Sequence, residues 1–208
     1  RDRISVLLSG FDEQVHFKMP HVRQDIDILF VGAMLPRRRA ILDMLRTQFN
    51  VVEASAFGED MTLLFNRAKI VLNIHAEDFR DTETRVYEAL GCGAFLLSEQ
   101  LSEESPFTSG IHLVEAENLP DLIDRARYFL EHAVEREAIA SCGHAEALAG
   151  HSYTARAAYV SQLMTRFRRP PGVPVVDARR LRRYARMEVL RRAYWKSRRA
   201  ISARVREV

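Results

Sequence analysis

Four residues have the types and spacing to hold a charged, hydroxyl-bearing ligand. Arg85 and Glu88 stand three positions apart in a short segment with helical punctuation, which puts both on one helix face. A guanidinium is a planar fork of donors suited to a phosphate, and a carboxylate one turn later can accept hydrogen bonds from two ribose hydroxyls. The same pair also reads as an ordinary helix-surface contact worth about 0.2–0.5 kcal/mol. His75 directly follows an apolar run and could bond a phosphate or sugar hydroxyl, or serve as a structural histidine at a strand end. Arg38, between Arg37 and Arg39, could bring a second guanidinium to a phosphate, or be one more exposed helix-face arginine. Glu77, Asp78, Asp81 and Glu83 crowd one loop, yet without a second cluster they do not compose a metal site.

The elements that must position these residues centre on 70–99. Two apolar runs, 70–74 and 94–97, have the length and composition of strands buried on both faces of a parallel sheet. Between them a helix can be capped by Asp81 or Thr82, with Glu83 in its first turn, and ended by Gly91-Cys92-Gly93. Its free N–H groups would face the carboxyl edge of the sheet, where an anion is favoured. Further strands are expected at 4–8, 25–32, 50–54 and 111–114, and helices at 37–48, 60–68, 120–132, 134–149 and 152–167. Phe57-Gly58 reads as a turn, and Gly32 opens a strand-to-helix turn in which Pro36 suits the first helical turn. This alternation predicts an α/β fold, a Rossmann-like, doubly wound parallel sheet. Gly32 belongs to neither GxGxxG nor GxxxxGK[ST], which argues against a dinucleotide fingerprint and a P-loop.

Composition sets the outer limits. The 208 residues are 47% hydrophobic and 28% charged, and no apolar run approaches the roughly 20 residues that cross a membrane. Two cysteines are too few for a disulfide framework, which suits a reducing, cytoplasmic setting. The chain lacks an initiator Met and reads as a fragment: 1–24 as the end of an upstream domain and hinge, 25–168 as the sheet domain, and 169–208 as a Pro-rich linker and basic amphipathic helix. Residues 166–208 carry a net charge of +12, leaving −9 for the rest of a chain whose total is +3. The basic character belongs to the tail, so the body gives no reason to expect nucleic acid. By its pattern such a tail suits a peripheral contact with an anionic membrane and, after that, nucleic acid.

The segments DILFVGAMLPRRRAIL, AFGEDMTLLFNRAKIVLNIH, RVYEALGCGAFLLSE and GHSYTARAAYVSQLM together resemble the C-terminal, donor-binding domain of group 1 glycosyltransferases of GT-B architecture, within them the spore-maturation-type branch. The resemblance implies that Glu88 grips the nucleotide ribose, that Thr84 and Arg85 present amides and a guanidinium to the donor diphosphate, and that Arg38 adds charge from the first strand-to-helix loop. It also implies that Phe57-Gly58 lies beside the base, that no metal or other cofactor is needed, that an N-terminal domain supplies acceptor recognition, and that the C-terminal helix packs back on that domain, the first of the three readings of the tail. Many retaining members carry a second glutamate eight residues before the ribose-binding one, where this chain has Arg80. The expected function is transfer of a sugar from a nucleotide diphosphate to an acceptor hydroxyl. The alternative is a non-catalytic anion-binding module recruited to a membrane or partner through the basic tail.

Overall fold

Apolar residues on consecutive positions of the strands, rather than on alternate ones, require cover on both sides of the sheet, and the structure supplies it. The structure, a computed structural model, describes residues 5–77, 79–166 and 187. The chain divides into two units, 1–165 and 166–208. The linker at 170–174 and the basic helix expected after it, but for Met187, lie outside the described residues.

The elements run β1 (Ile26–Val31), α1 (Pro36–Arg46), β2 (Val51–Ala54), α2 (Gly58–Arg67), β3 (Ala68–Asn73), α3 (Thr84–Gly91), β4 (Leu96–Glu99), β5 (Val114–Ala116), α4 (Leu119–Glu131), α5 (Ala133–Gly150) and α6 (Tyr153–Arg166). All strand pairs are parallel, in the order β2-β1-β3-β4-β5. Alternate strand residues part between two cores. Leu29, Val31, Val71 and Leu96 pack with Met61 and Phe65 of α2 and Val86 and Leu90 of α3. Ile28, Phe30, Ile70 and Leu72 pack with Leu42 and Leu45 of α1 and Leu122 and Phe129 of α4. Burying each such side chain contributes about 1.5–3 kcal/mol, so a one-residue slip in register would be costly on both faces.

The strand order positions the site. From β1 the chain runs outward to β2 and returns to β3 on the other side of β1, so the loops after β1 and β3 leave for opposite faces. Such a divergence opens a crevice at the carboxyl edge of the sheet.

Two expected strands are corrected. Among residues 5–8 there is no strand: Val6 and Leu7 are 74% and 52% exposed and have no ladder partner. The expected strand at 111–114 begins only at Val114, because residues 108–113 close a turn in which His112 N donates to Thr108 O and Gly110 N to Leu113 O.

The segment read as upstream end and hinge is fastened to the body over residues 11–19. Phe11 is fully buried and pairs through its backbone with His151 and Tyr153. Thr62 Oγ1 donates to Val15 O, and the Asn66 amide bonds both Phe17 O and Met19 N. The Phe11 ring lies where a side chain on Gly91 would go, 2.4 Å from an ideal Cβ. Gly91→Ala must therefore push Phe11 out of place. The expected loss is about 1–3 kcal/mol, read from the shift of the urea unfolding midpoint.

Candidate functional site

Five residues brought together by α3, α2 and the loop before α3 line a cleft of about 410 Å3 at the carboxyl edge: Phe57, Thr84, Arg85, Glu88 and Glu83, with Ser9, Asp81 and Thr82 at its wall. The helix that supplies three of them starts later than its sequence suggests. Glu83 is the N-cap residue, in extended conformation, and no side chain caps the helix. Asp81 bonds the backbone of Thr82, and the Thr82 hydroxyl meets that of Ser102, so neither expected cap is available to α3. Val86 N reaches Glu83 O. The N–H groups of Thr84 and Arg85 are thereby left at an open, uncapped terminus without an acidic residue in its first turn, an arrangement that favours an anion.

Glu88 and Arg85 form the helix-surface pair that the spacing allows, with Arg85 Nη1 3.2 Å from Glu88 Oε2. Each side chain is 18% exposed, and both line the cleft. The Arg85 guanidinium also lies against Met61 Sδ. Phe57, the N-cap of α2, is 77% exposed at the cleft rim, and Gly58 behind it has φ +57°, a backbone shape suited to glycine.

Arg38 is placed differently from a free phosphate ligand. It is 8% exposed, and all three guanidinium nitrogens are engaged: Nε donates to Ile74 O at 2.8 Å, Nη1 to Ala33 O at 3.3 Å, and Nη2 to both Glu83 oxygens at 3.2 and 3.3 Å. Its carbon centre lies 5.4 Å from the centre of the Phe30 ring. Arg38 thus ties the loop after β1 to the end of β3 and to the N-cap of α3, across the divergence that opens the crevice. Gly32 starts the same loop, its N–H donating to Ala54 O at 3.0 Å.

His75 belongs to a neighbouring cleft of about 390 Å3, with Arg37, Phe79, Arg80 and Glu99. Its N–H donates to Glu99 Oε2 at 2.8 Å, and its ring Nε2 lies 2.9 Å from Gln100 O. Arg37 grips both Glu99 oxygens, at 2.9 and 2.5 Å, and His75 O. Burial alone would raise the pKa of Glu99, but the Arg37 bonds, the His75 amide and the Arg37 charge outweigh it and hold the carboxyl below its ordinary value of 4.5. The sign follows from a folded pKa below the unfolded one: the contribution is complete above pH 4.5 and is lost as the pH falls through the folded value. The urea midpoint of the wild-type chain is therefore expected to fall more steeply below pH 4.5 than that of Glu99→Gln, in parallel titrations.

Of the eight residues singled out in the sequence, Phe57, Thr84, Arg85 and Glu88 meet at one cleft with Gly58 adjoining, His75 faces a second, and Gly32 and Arg38 build the brace between strands. Sequence reasoning missed Glu83 as the partner of Arg38, Arg37 as the partner of Glu99, and His16, whose ring nitrogen lies 4.0 Å from Glu88 Oε1. Acid–base pairs 45 and 62 positions apart leave no signal in spacing. Cys92 is buried, and burial pushes its thiol up to about 12, which keeps it protonated and poorly nucleophilic. Among the described residues no group of three His, Cys, Asp or Glu could hold a metal ion, and no helix is long and apolar enough to cross a membrane.

A family model described as "Glycosyl transferase-like" matches residues 23–162. An uncharacterized protein of Acanthamoeba polyphaga mimivirus is 38% identical over 82 residues, which cover 38% of this chain and 28% of that one. The Anabaena protein HepE, solved in complex with UDP and glucose, aligns with a TM-score of 0.65 at 12% identity, covering 78% of this chain and 57% of its own. The C-terminal domain of a glycosyl transferase group 1 family protein from Francisella tularensis aligns with a TM-score of 0.54 at 11% identity, covering 69% of this chain and all of that domain. This chain therefore spans less than two thirds of the mimivirus and Anabaena proteins, and the likeness to the solved structures is one of fold, the Rossmann-like α/β fold of GT-B glycosyltransferases.

Proposed function

This chain belongs to the glycosyl transferase-like family, and we propose that its cleft holds the nucleotide diphosphate sugar of a sugar transfer to an acceptor hydroxyl. The observation that carries the reading is the meeting of Arg85, Glu88, Thr84 and Phe57 around one cleft beside the uncapped terminus of α3. Each group has a separate task. The N–H groups of Thr84 and Arg85 and the Arg85 guanidinium face the diphosphate. There they stabilise the negative charge that grows on the leaving group as the glycosidic bond breaks. Glu88 accepts hydrogen bonds from the ribose hydroxyls. Phe57 offers an exposed ring for the base, a stacking contact worth about 1–3 kcal/mol. His75 and Gly32 flank the same edge, and Arg38 acts through Glu83 on the loop that leads into α3.

The finer assignments belong to the same proposal: the C-terminal, donor-binding half of a spore-maturation-type enzyme, working without a metal and with an upstream domain that recognises the acceptor. The full-length alignment of the Francisella domain supports the placement. The UDP and glucose of the Anabaena complex support the class of donor. Sugar transfer by residues 1–208 alone is expected to be slow, since acceptor contacts lie elsewhere. The recruitment alternative rests on the basic tail, which lies outside the described residues but for Arg166 and Met187.

Ligand-dependent thermal unfolding tests the reading. One of UDP, GDP and dTDP, at about 100 times its Kd, is expected to stabilise the folded chain by about 2.7 kcal/mol. No shift with any of the three would remove the donor assignment.

A further inference from the structure

The His16 ring is the one polar group near Glu88 for which the fold has provided no explanation. The residue is 8% exposed, and both ring nitrogens are buried without a hydrogen-bond partner among the described residues. Proteins rarely leave a buried polar atom unpaired, since each costs about 1–3 kcal/mol. Its position is well determined by other contacts: His16 N donates to Asp12 O at 2.8 Å, and the neighbouring Val15 carbonyl is held by Thr62 of α2. What the ring faces is Glu88. Nε2 lies 4.0 Å from Oε1, just beyond hydrogen-bond reach, while the other carboxylate oxygen is taken by Arg85 at 3.2 Å. His16 is not among the residues lining the cleft, so it can act on a ligand only through Glu88.

We propose that His16 is a positioning residue for Glu88 which comes into play when a ligand enters. The proposal rests on the donor-binding reading of the cleft. Without ligand, Glu88 is oriented by Arg85, and Arg85 is also the cleft's guanidinium. A diphosphate that draws the Arg85 fork toward itself weakens the bond that holds Glu88. A carboxylate released in this way would turn freely and lose its aim at the ribose. A shift of about 1 Å instead brings Oε1 within hydrogen-bond distance of His16 Nε2. The imidazole N–H then takes over as donor on the side away from the ligand, leaving the other oxygen for the hydroxyls. The unpaired ring of His16 and the double duty of Arg85 are thus two sides of one exchange.

Two variants separate positioning from packing. His16→Phe keeps an aromatic ring, somewhat larger than imidazole, and removes both unpaired nitrogens, two changes that offset each other, so the chain should unfold close to wild type. Its Kd for whichever of UDP, GDP and dTDP binds should nevertheless rise about tenfold, the value of one hydrogen bond of about 1.4 kcal/mol. His16→Gln, which retains an N–H donor, should recover most of that loss. Nucleotide affinity unchanged in His16→Phe overturns the proposal, as does a loss that His16→Gln does not repair. The contact is also tested without ligand, by unfolding His16→Phe, Glu88→Gln and the double variant. There Nε2 stands beyond hydrogen-bond reach of Oε1, so near-additive stabilities are expected, and a ligand-free coupling as large as a full hydrogen bond overturns the exchange. Should wild type bind none of the three nucleotides, the donor reading and this exchange both fail, whatever the cycle reports on the empty-state contact.

Discussion

Arg38→Ala is expected to destabilise the chain by about 3 kcal/mol, for a reason unrelated to any ligand. The guanidinium is buried, and its removal strands the carbonyls of Ile74 and Ala33 and releases Glu83. An abandoned buried acceptor costs about 1–3 kcal/mol, and breaking a buried ion pair from one side is destabilising even when the pair itself adds little net energy. Glu83 is 30% exposed, so water compensates part of its loss, and the estimate is kept toward the lower end. For a body of this size the corresponding fall in Tm is about 6–12 °C. Arg38→Lys is expected to recover only a fraction, because one ammonium cannot reach three acceptors lying in different directions from a planar fork. Calorimetric melting of the three proteins checks this. A melting temperature unchanged in Arg38→Ala would show that the brace contributes nothing, and would return Arg38 to the role of a free phosphate ligand.

Glu88→Ala should behave in the opposite way, keeping the fold and losing the ligand. In the empty chain Glu88 contributes a helix-surface pair with Arg85 worth about 0.2–0.5 kcal/mol, so the melting temperature should hardly move. Under the donor-binding reading the same carboxylate accepts two hydrogen bonds from the ribose. Hydrogen bonds to a charged group contribute about 1.5–3 kcal/mol each. The loss of both amounts to about 3 kcal/mol, on the order of a 100-fold rise in Kd. The contrast matters more than either number. Arg38 and Glu88 are both charged and both stand near α3, yet one is expected to be seen in stability and the other in binding.

That contrast also marks what could be read before the fold was known. The parallel sheet was legible because 28–31 and 70–72 are apolar at consecutive positions, a pattern that only a two-sided core explains. The proximity of Arg85 and Glu88 was legible because helical spacing is local. The role of Arg38 was not, since its partners lie at Ala33, Ile74 and Glu83, and only the strand order brings the last two to it. The start of α3 was misplaced by cap chemistry. Asp81 and Thr82 have the right side chains for a cap, but one turns to its own backbone and the other to Ser102. Residues 11–19 carry no periodic pattern, so neither the packing of Phe11 on Gly91 nor the approach of His16 to Glu88 could be foreseen. The expected strand at 4–8 fails for a related reason: an apolar run becomes a strand only where an edge is free to pair with it, and none of the described strands takes it up.

The chemistry assigned to the cleft depends on ligand charge, ribose hydroxyls and a base arriving together, so binding by a nucleotide diphosphate is the nearest test of it. Isothermal titration of the wild-type chain and of Glu88→Ala with UDP, GDP and dTDP measures this directly. Saturable binding of at least one nucleotide by wild type is expected, with a Kd about 100-fold higher, or no detectable heat, for a Glu88→Ala protein that melts like wild type. Equal affinity in the two proteins, or silence of wild type toward all three nucleotides, would contradict the donor-binding reading.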